Sequence, residues 1–384
     1  MELTKCKLGE LITQRREKND GSDLPICGVS KDGLIPPKQK DADTSIYNVF
    51  YRDDFIFNPA RMELNSIAIN DMYDRAICSS LYEVFYVHRT DLLLPHYLEL
   101  IIRQKWFTRY CEFLGQGSAR EYCRFGNISE IEIEFPPIEE QQKIVEYNTA
   151  IENRIALKQK INDNLVAVGT ASIQKNVGRG ALINLTEAEM DSLTFPEDFK
   201  VKTVSEFCAE TKSGSTPSRT NNEYWENGTI SWVKSGEVHN NITLQTEEYI
   251  TPLGLSESST KLLPKDTVLM AMYGVTAGEV GYLAIEATTN QAICGMICRS
   301  KAEAAYLYFS LIQSQAKISR LSNGGAQDNL SKNFIDNIKI AVPPSEFIEK
   351  LNLATIVEQM TLNTKEITLL EELQATVLAQ LSSR

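Results

Sequence analysis

Apolar positions along this chain change period several times. Ile67 to Ile69, Tyr82 to Val87, Thr229 to Val233, Thr267 to Met272 and Ala292 to Cys298 are short runs of β-branched and aromatic residues between Gly-containing turns. They predict strands, because such side chains fit a pleated, half-buried surface. Leu98 to Leu114 and Leu307 to Leu321 instead read as amphipathic helices. A longer helical pattern runs from Ile138 to Val177, with no Pro, a single Gly169, and Ile144, Tyr147, Ile151, Ile155, Ile161, Leu165 and Val168 at helical spacing. Glu139 and Glu140 in its first turn suit the positive end of a helix dipole. At 1.5 Å per residue it makes a rod on the order of 55 Å. Gly178-Arg179-Gly180 ends it, and the stretch to about Lys200, with Pro196, is read as a linker. A second such segment opens at Ser345, read as its N-cap. Within it Ile356, Met360, Asn363, Ile367, Leu370, Gln374, Val377 and Leu381 alternate spacings of four and three, the seam of a coiled coil.

The pattern is written twice. Ile128, Ile131, Ile133, Pro136 and Pro137 recur as Ile335, Ile338, Ile340, Pro343 and Pro344, all at one offset of 207. Tyr97-Leu98 matches Tyr306-Leu307, and Lys7-Leu8-Gly9-Glu10-Leu11 resembles Thr203-Val204-Ser205-Glu206-Phe207, with the drift in offset that loop insertions produce. The domain reading is therefore 1–137 a first lobe, 138–177 a first spacer helix, 178–200 a linker, 201–344 a second lobe and 345–384 a second spacer helix. Apolar stripes of that length do not stay wet. Either each helix docks on its own lobe, or the two pack together. The first helix delivers the chain to the second lobe, so in the packed case the second must run back along it. The expected fold class is α/β: two pseudo-twofold-related lobes separated by a pair of long antiparallel coiled-coil helices.

Composition narrows the chemistry. The 384 residues suit two domains of roughly 150 residues each. No end carries a basic region followed by an apolar block, and no apolar run reaches the roughly 20 residues a bilayer requires, so the expectation is a cytoplasmic protein with no membrane partner. Eight scattered cysteines include no Cys-x-x-Cys pair, and His88, His96 and His239 are the only histidines. Reduced core thiols are expected, and no metal site. A formal net charge of −12 argues against a chain that coats DNA indiscriminately, since phosphate neutralisation drives such binding. Any contact with DNA must then use local basic patches. A phosphate-binding Gly-x-x-x-x-Gly-Lys-Ser/Thr loop is missing, and the Pro-Pro steps lack the flanks of an adenine-methyltransferase pocket. Carboxylate neighbours such as Glu139-Glu140 and Glu371-Glu372 fall on helices, where a solvated face is their expected role. No catalytic residue and no bound cofactor are assigned.

The motifs point further. Ser213-Gly214-Ser215-Thr216-Pro217-Ser218-Arg219 and Tyr224-Trp225-Glu226-Asn227-Gly228-Thr229-Ile230-Ser231-Trp232-Val233-Lys234-Ser235-Gly236-Glu237 resemble the opening of a target recognition domain in Type I restriction-modification specificity subunits. Gly274-Val275-Thr276-Ala277-Gly278 and Thr289-Asn290-Gln291-Ala292 are similar to later motifs of that domain. In the first half Asn58-Pro59-Ala60-Arg61, Ser79-Ser80-Leu81-Tyr82 and Pro136-Pro137-Ile138-Glu139-Glu140-Gln141 resemble its other common variant and the start of the family's helical region. Two departures stand out: Ser345-Glu346-Phe347 replaces the acidic-Gln start, and the first lobe lacks the Trp-rich opening. Dissimilar lobes imply an asymmetric, bipartite target.

The resemblance implies a non-catalytic subunit that binds double-stranded DNA and joins two methyltransferase subunits and, in a full restriction system, two restriction subunits. S-adenosylmethionine would belong to the methyltransferase, and ATP and Mg to the restriction subunit. Expected DNA contacts are Lys212, Ser213, Ser215, Thr216, Ser218, Arg219, Lys234, Gln327 and Asn329 in the second lobe, and Lys38, Lys40, Arg61, Ser118, Arg120 and Arg124 in the first. These are residue types that reach phosphates and base edges from loops. Trp225 and Trp232 are read as core anchors rather than base-stacking platforms. The competing reading is a non-catalytic interaction scaffold or DNA-mimic adaptor, in which the acidic surface is itself the ligand; an enzyme with a cryptic site is a third.

Overall fold

A computed structural model describes residues 3–31, 33–37, 43–115, 122–182, 195–240, 242–323 and 329–382. The chain divides into two compact units, Met1–Arg154 with Leu370–Arg384, and Ile155–Leu369.

In the first unit Ile12–Arg15, Glu83–Val87, Phe55–Phe57 and Ile67–Ile69 form a four-stranded antiparallel sheet in that order. A second four-stranded sheet runs Gly33–Ile35, Ile26–Ser30, Arg75–Cys78, Asn48–Tyr51, its central pair parallel. Phe55 and Phe85, both fully buried, stack at 4.9 Å between ring centres in the larger core. Burying a ring of that size contributes roughly 1.5–3 kcal/mol. The second unit repeats the arrangement. Glu210–Ser213, Ile293–Ile297, Thr267–Ala271 and Val280–Leu283 lie in the same order, extended by a fifth short strand, Ile242–Thr243.

The repeat holds to the level of single hydrogen bonds. Thr4–Lys7 pairs antiparallel with Glu132–Phe135, Cys6 facing Ile133. Lys200–Thr203 pairs with Lys339–Val342, Lys202 facing Ile340. Just past these strands the Leu8 N–H donates to the Ile131 carbonyl at 2.8 Å, and the Val204 N–H donates to the Ile338 carbonyl at 2.9 Å. Glu10 and Glu206 each cap the backbone N–H three residues earlier. Short helices at Phe125–Ser129 and Lys332–Asp336 then lead into the second strand of each pair.

Differences between the halves have identifiable causes. The helix expected from Leu98 to Leu114 is two helices, Pro95–Ile102 and Lys105–Gly115, whereas Lys301–Asn323 is continuous. Gln141 opens the first long helix, Ile138–Asn176, fully buried. Its amide donates to the carbonyls of Leu92 and Pro136, each at 2.8 Å, and its oxygen accepts from the Leu94 N–H at 2.9 Å. The corresponding residue of the second half is Ile348, equally buried but apolar. There the expected single helix is interrupted: Ser345–Lys350 ends at Asn352, which takes a left-handed φ of 54°, and Leu353–Ser382 follows. Asn is among the few side chains that tolerate this region. Ser345 is the first helical residue rather than the cap, a place held by Pro344.

Each unit also holds parts of both long helices. In the second, Lys158 pairs with Glu366 at 2.7 Å. Asn363, 1% exposed, donates to Asn162 at 2.9 Å, and Asn162 donates to Thr364 at 3.2 Å. Numbers rise along one helix as they fall along the other, so the segments run antiparallel. In the first unit Gln374 donates to Asn148 at 3.0 Å and to Glu152 at 3.2 Å. The lone glycine of the first long helix has a packing cause, since a Cβ on Gly169 would lie 2.3 Å from the Phe309 ring. Among the described residues no helix is long and apolar enough to cross a membrane.

Candidate nucleic-acid interface

Strand register decides which loops meet. In the second unit Ser213 faces Cys294, and Cys294 faces Met270, which faces Val280. The segments that follow or precede these residues, 214–219, 272–279 and 290–292, therefore emerge at one end of the sheet. Hydrogen bonds stitch them together. The Ser215 N–H donates to the Thr289 carbonyl at 2.9 Å, the Asn290 N–H to Val233 at 3.0 Å, and the Met272 N–H to Ala292 at 2.7 Å. The Leu330 N–H donates to the Met272 carbonyl at 2.8 Å, bringing exposed Asn329 to the same end. Ser213, Ser215, Thr216, Ser218, Arg219, Lys234 and Asn329, chosen from separated stretches of sequence, thus gather on one rim, while Lys212 lies one residue back on the strand with its ammonium turned to Glu210 at the other end. Gln327 lies outside the described residues.

Loop 214–219 is held rather than free. Gly214 sits so close to the neighbouring strand that a Cβ there would be 2.2 Å from the backbone oxygens of Thr289 and Asn290. The indole N–H of Trp232 donates to the Ser215 carbonyl, and that of Trp225 to the Ser218 carbonyl, each at 3.1 Å. Trp232 is 2% exposed, and the two rings meet edge to face at 5.0 Å. Both tryptophans therefore anchor the loop.

The cations of this rim are answered by carboxylates. Arg219 lies 3.6 Å from the centre of the Trp225 ring and bonds Glu248 at 2.5 Å. Lys234 bonds Glu247 at 2.5 Å and Glu248 at 3.3 Å. Lys212 pairs with Glu210 at 2.9 Å. The hydrogen bond from Arg219, aided by Lys234, holds the Glu248 carboxyl below its ordinary range, and Glu247 holds the Lys234 ammonium above its own. Glu248, distant in sequence from Arg219, was not among the expected site residues.

The first unit gathers the matching loops. Arg15 faces Val84, and Glu83 faces Phe57, which faces Ile67, so 58–66 and 79–82 emerge together. The Cys123 N–H donates to the Pro59 carbonyl at 3.1 Å, the counterpart of the Leu330 bond, and Arg124 follows it. Arg124 bonds Glu83 at 3.2 Å. Arg61 is exposed and has no ion pair among the described residues. It lines an open groove of about 1200 Å³ with Lys31, Pro36, Tyr47, Ser79 and Leu81. Three motifs distant in sequence, around Pro36, Arg61 and Ser79, converge on this groove. Lys31 and Tyr47 were not expected there. Lys38, Lys40, Ser118 and Arg120 lie outside the described residues.

Not every arginine here is placed for contact. Arg15 grips Asp54 through both Nε and Nη2, at 2.6 and 3.1 Å, between the rings of Tyr51 and Tyr86. Asp54 is 1% exposed, and burial pushes its carboxyl upward against the pull of Arg15. That pair belongs to the core. The cysteines are free, and all but Cys6 and Cys298 are buried.

The chain resembles known proteins throughout. It is 25% identical over 200 residues to the specificity subunit of the Escherichia coli Type I restriction enzyme EcoR124I/EcoR124II, covering 51% of this chain and 46% of that protein. It is 22% identical over 357 residues to the HindI specificity subunit of Haemophilus influenzae, covering 76% of this chain and 77% of that one. The chain thus spans about half the length of the first relative and about three quarters of the second. The crystal structure of a Type I restriction-modification S subunit from M. genitalium shares the fold, with a TM-score of 0.58 at 15% identity over 99% of this chain and 96% of that one. A family model, the Type I restriction modification DNA specificity domain, matches residues 6–167 and again 196–375. Matched once in each half of a duplicated chain, the protein belongs to that family.

Proposed function

We propose that this chain is the DNA-specificity subunit of a Type I restriction-modification enzyme, reading an asymmetric bipartite target with its two lobes. The observation that carries the reading is the paired rim: strand register sends equivalent loops to the same end of each lobe, while the residues on those loops differ. The same backbone with different polar groups is what two different half-sites require.

The two long helices act as an antiparallel coiled-coil spacer relating the lobes by a pseudo-twofold axis. Readers on one face of B-DNA sit about one helical turn apart, roughly 34 Å. A buried Asn at a seam position such as Asn363 fixes register in helix pairs. Residues 138–177 and 345–384 form the spacer and the docking surface for two methyltransferase subunits, and through them for two restriction subunits. Methyl transfer to adenine requires the base to leave the duplex, and the flipping pocket belongs to the methyltransferase with its S-adenosylmethionine. ATP and Mg serve the restriction subunit. This chain supplies no reacting group.

The test is modified-base sequencing of DNA from cells expressing this chain with its methyltransferase partner. A split, asymmetric adenine motif is expected, and exchanging one lobe should change one half of it alone. Methylation without a split motif, or a lobe exchange that alters both halves, would remove the proposal.

A further inference from the structure

Arg219 is held differently from Arg15 of the first unit, and the difference speaks to what it reads. We propose that Arg219 recognises a guanine in the half-site of the second lobe, and that Trp225 and Glu248 are positioning residues that fix its guanidinium for that task. The assignment rests on the DNA-reading function proposed above.

Three observations carry it. The first is posture. The guanidinium lies 3.6 Å from the centre of the Trp225 ring and 4.8 Å from that of Trp232. These rings stand at 89° to each other, so the group sits in a corner that sets its plane. Glu248 takes only Nη1, and the side chain remains half exposed. Arg15, by contrast, spends Nε and Nη2 on one buried carboxylate.

The second is support. Glu248 belongs to strand Glu248–Ile250 and faces Trp232 on strand Ile230–Val233. The brace therefore comes from paired strands, although Arg219 itself is on a loop. A reading group held by packed aromatics and a carboxylate on regular structure loses little freedom on binding.

The third is charge. Arg219, Lys234, Glu247 and Glu248 together are neutral and in mutual contact. A phosphate would meet two carboxylates there, whereas the edge of a base carries no charge. Guanine presents two acceptors, O6 and N7, in the major groove, and a planar Arg fork is the commonest group to pair with them. The guanidinium has five N–H donors, so one can stay on Glu248 while others face the base.

The experiment uses the complex of this chain with its methyltransferase partner and duplexes carrying the motif found by modified-base sequencing. Each guanine of the second lobe's half-site is replaced in turn by 7-deazaguanine, which lacks only the N7 acceptor, and binding is followed by fluorescence anisotropy. One position should weaken wild-type binding by about tenfold. Arg219→Ala should lose about as much on the natural site and become indifferent to that replacement. Glu248→Gln should reduce the discrimination at that one position, so that the 7-deazaguanine replacement costs the variant complex less than it costs the wild type. Arg219→Lys should not restore it.

The assignment is overturned if the half-site has no guanine, if no position responds, or if Arg219→Ala keeps the full response. It is equally overturned, for Glu248 as a positioning residue, if Glu248→Gln keeps the wild-type discrimination at that position. Failure to find any split motif would remove the parent reading and this one together. A split motif with no 7-deazaguanine response removes this one alone.

Discussion

The two lobes share strand order, register and even individual backbone hydrogen bonds, yet they dispose their charges differently. On the rim of the second lobe Arg219 and Lys234 are answered by Glu248 and Glu247. On the rim of the first, Arg124 is likewise answered by Glu83, but Arg61 and Lys31 face an open groove with no ion pair among the described residues. An unpaired exposed cation attracts any phosphate within a Debye length or so, about 8–10 Å in ordinary salt. A cation braced by a carboxylate is selective, because it yields only to a partner of matching geometry. One scaffold thus carries two charge arrangements at its rims: open cations on the first lobe and braced cations on the second.

The largest effect is expected at Gln141, where the halves differ most in the core. Gln141→Ala strips the Leu94 N–H and the Leu92 and Pro136 carbonyls of their partner at a buried site and should cost about 3 kcal/mol, read as a lowered unfolding midpoint in denaturant. An unchanged midpoint would show that water replaces the amide without penalty. Next comes Gly214→Ala, which drives a methyl into the backbone of Thr289 and Asn290 and should cost about 2 kcal/mol in thermal unfolding. Its counterpart in the first lobe is the exposed Arg16, where Arg16→Ala should stay within about 0.5 kcal/mol of wild type. Equal losses at these two positions would contradict the packed loop of the second lobe.

A smaller effect is expected at Arg61. Arg61→Ala should weaken the complex on every duplex alike and lower the slope of log affinity against log salt by about 1. A loss confined to one sequence would make Arg61 a base reader rather than a phosphate contact. The smallest effect is expected at Lys234→Ala, whose charge is already spent on Glu247 and Glu248. Its salt slope should remain that of wild type in the same titration.

Much of this arrangement was legible in the sequence. The Pro-Pro steps and the Ile residues before them gave the duplication because they frame one strand, Glu132–Phe135 or Lys339–Val342, whose register both halves keep. The loops that form each rim were legible through their Gly, Ser and Asn content. What escaped was whatever depends on distant pairs. Glu248 meets Arg219 only because its strand lies beside the one carrying Trp232, and nothing near Arg219 in the chain signals this. The break at Asn352 escaped because Asn fits a helix interior and a left-handed turn alike, and packing decides between them. The strand Ile242–Thr243, two residues long, is too short to show a period. The groove beside Arg61 joins three stretches that no local pattern connects.

The first and last strands of each lobe are zipped to one another, Thr4–Lys7 to Glu132–Phe135 and Lys200–Thr203 to Lys339–Val342. A lobe therefore opens and closes at neighbouring points on its own surface, and no strand of its main sheet is left waiting for the rest of the chain. Genetic crossover near those points would transplant a whole main sheet, leaving only flanking bonds such as those of Gln141 to be remade. New targets could then arise by shuffling finished parts, without passing through misfolded intermediates.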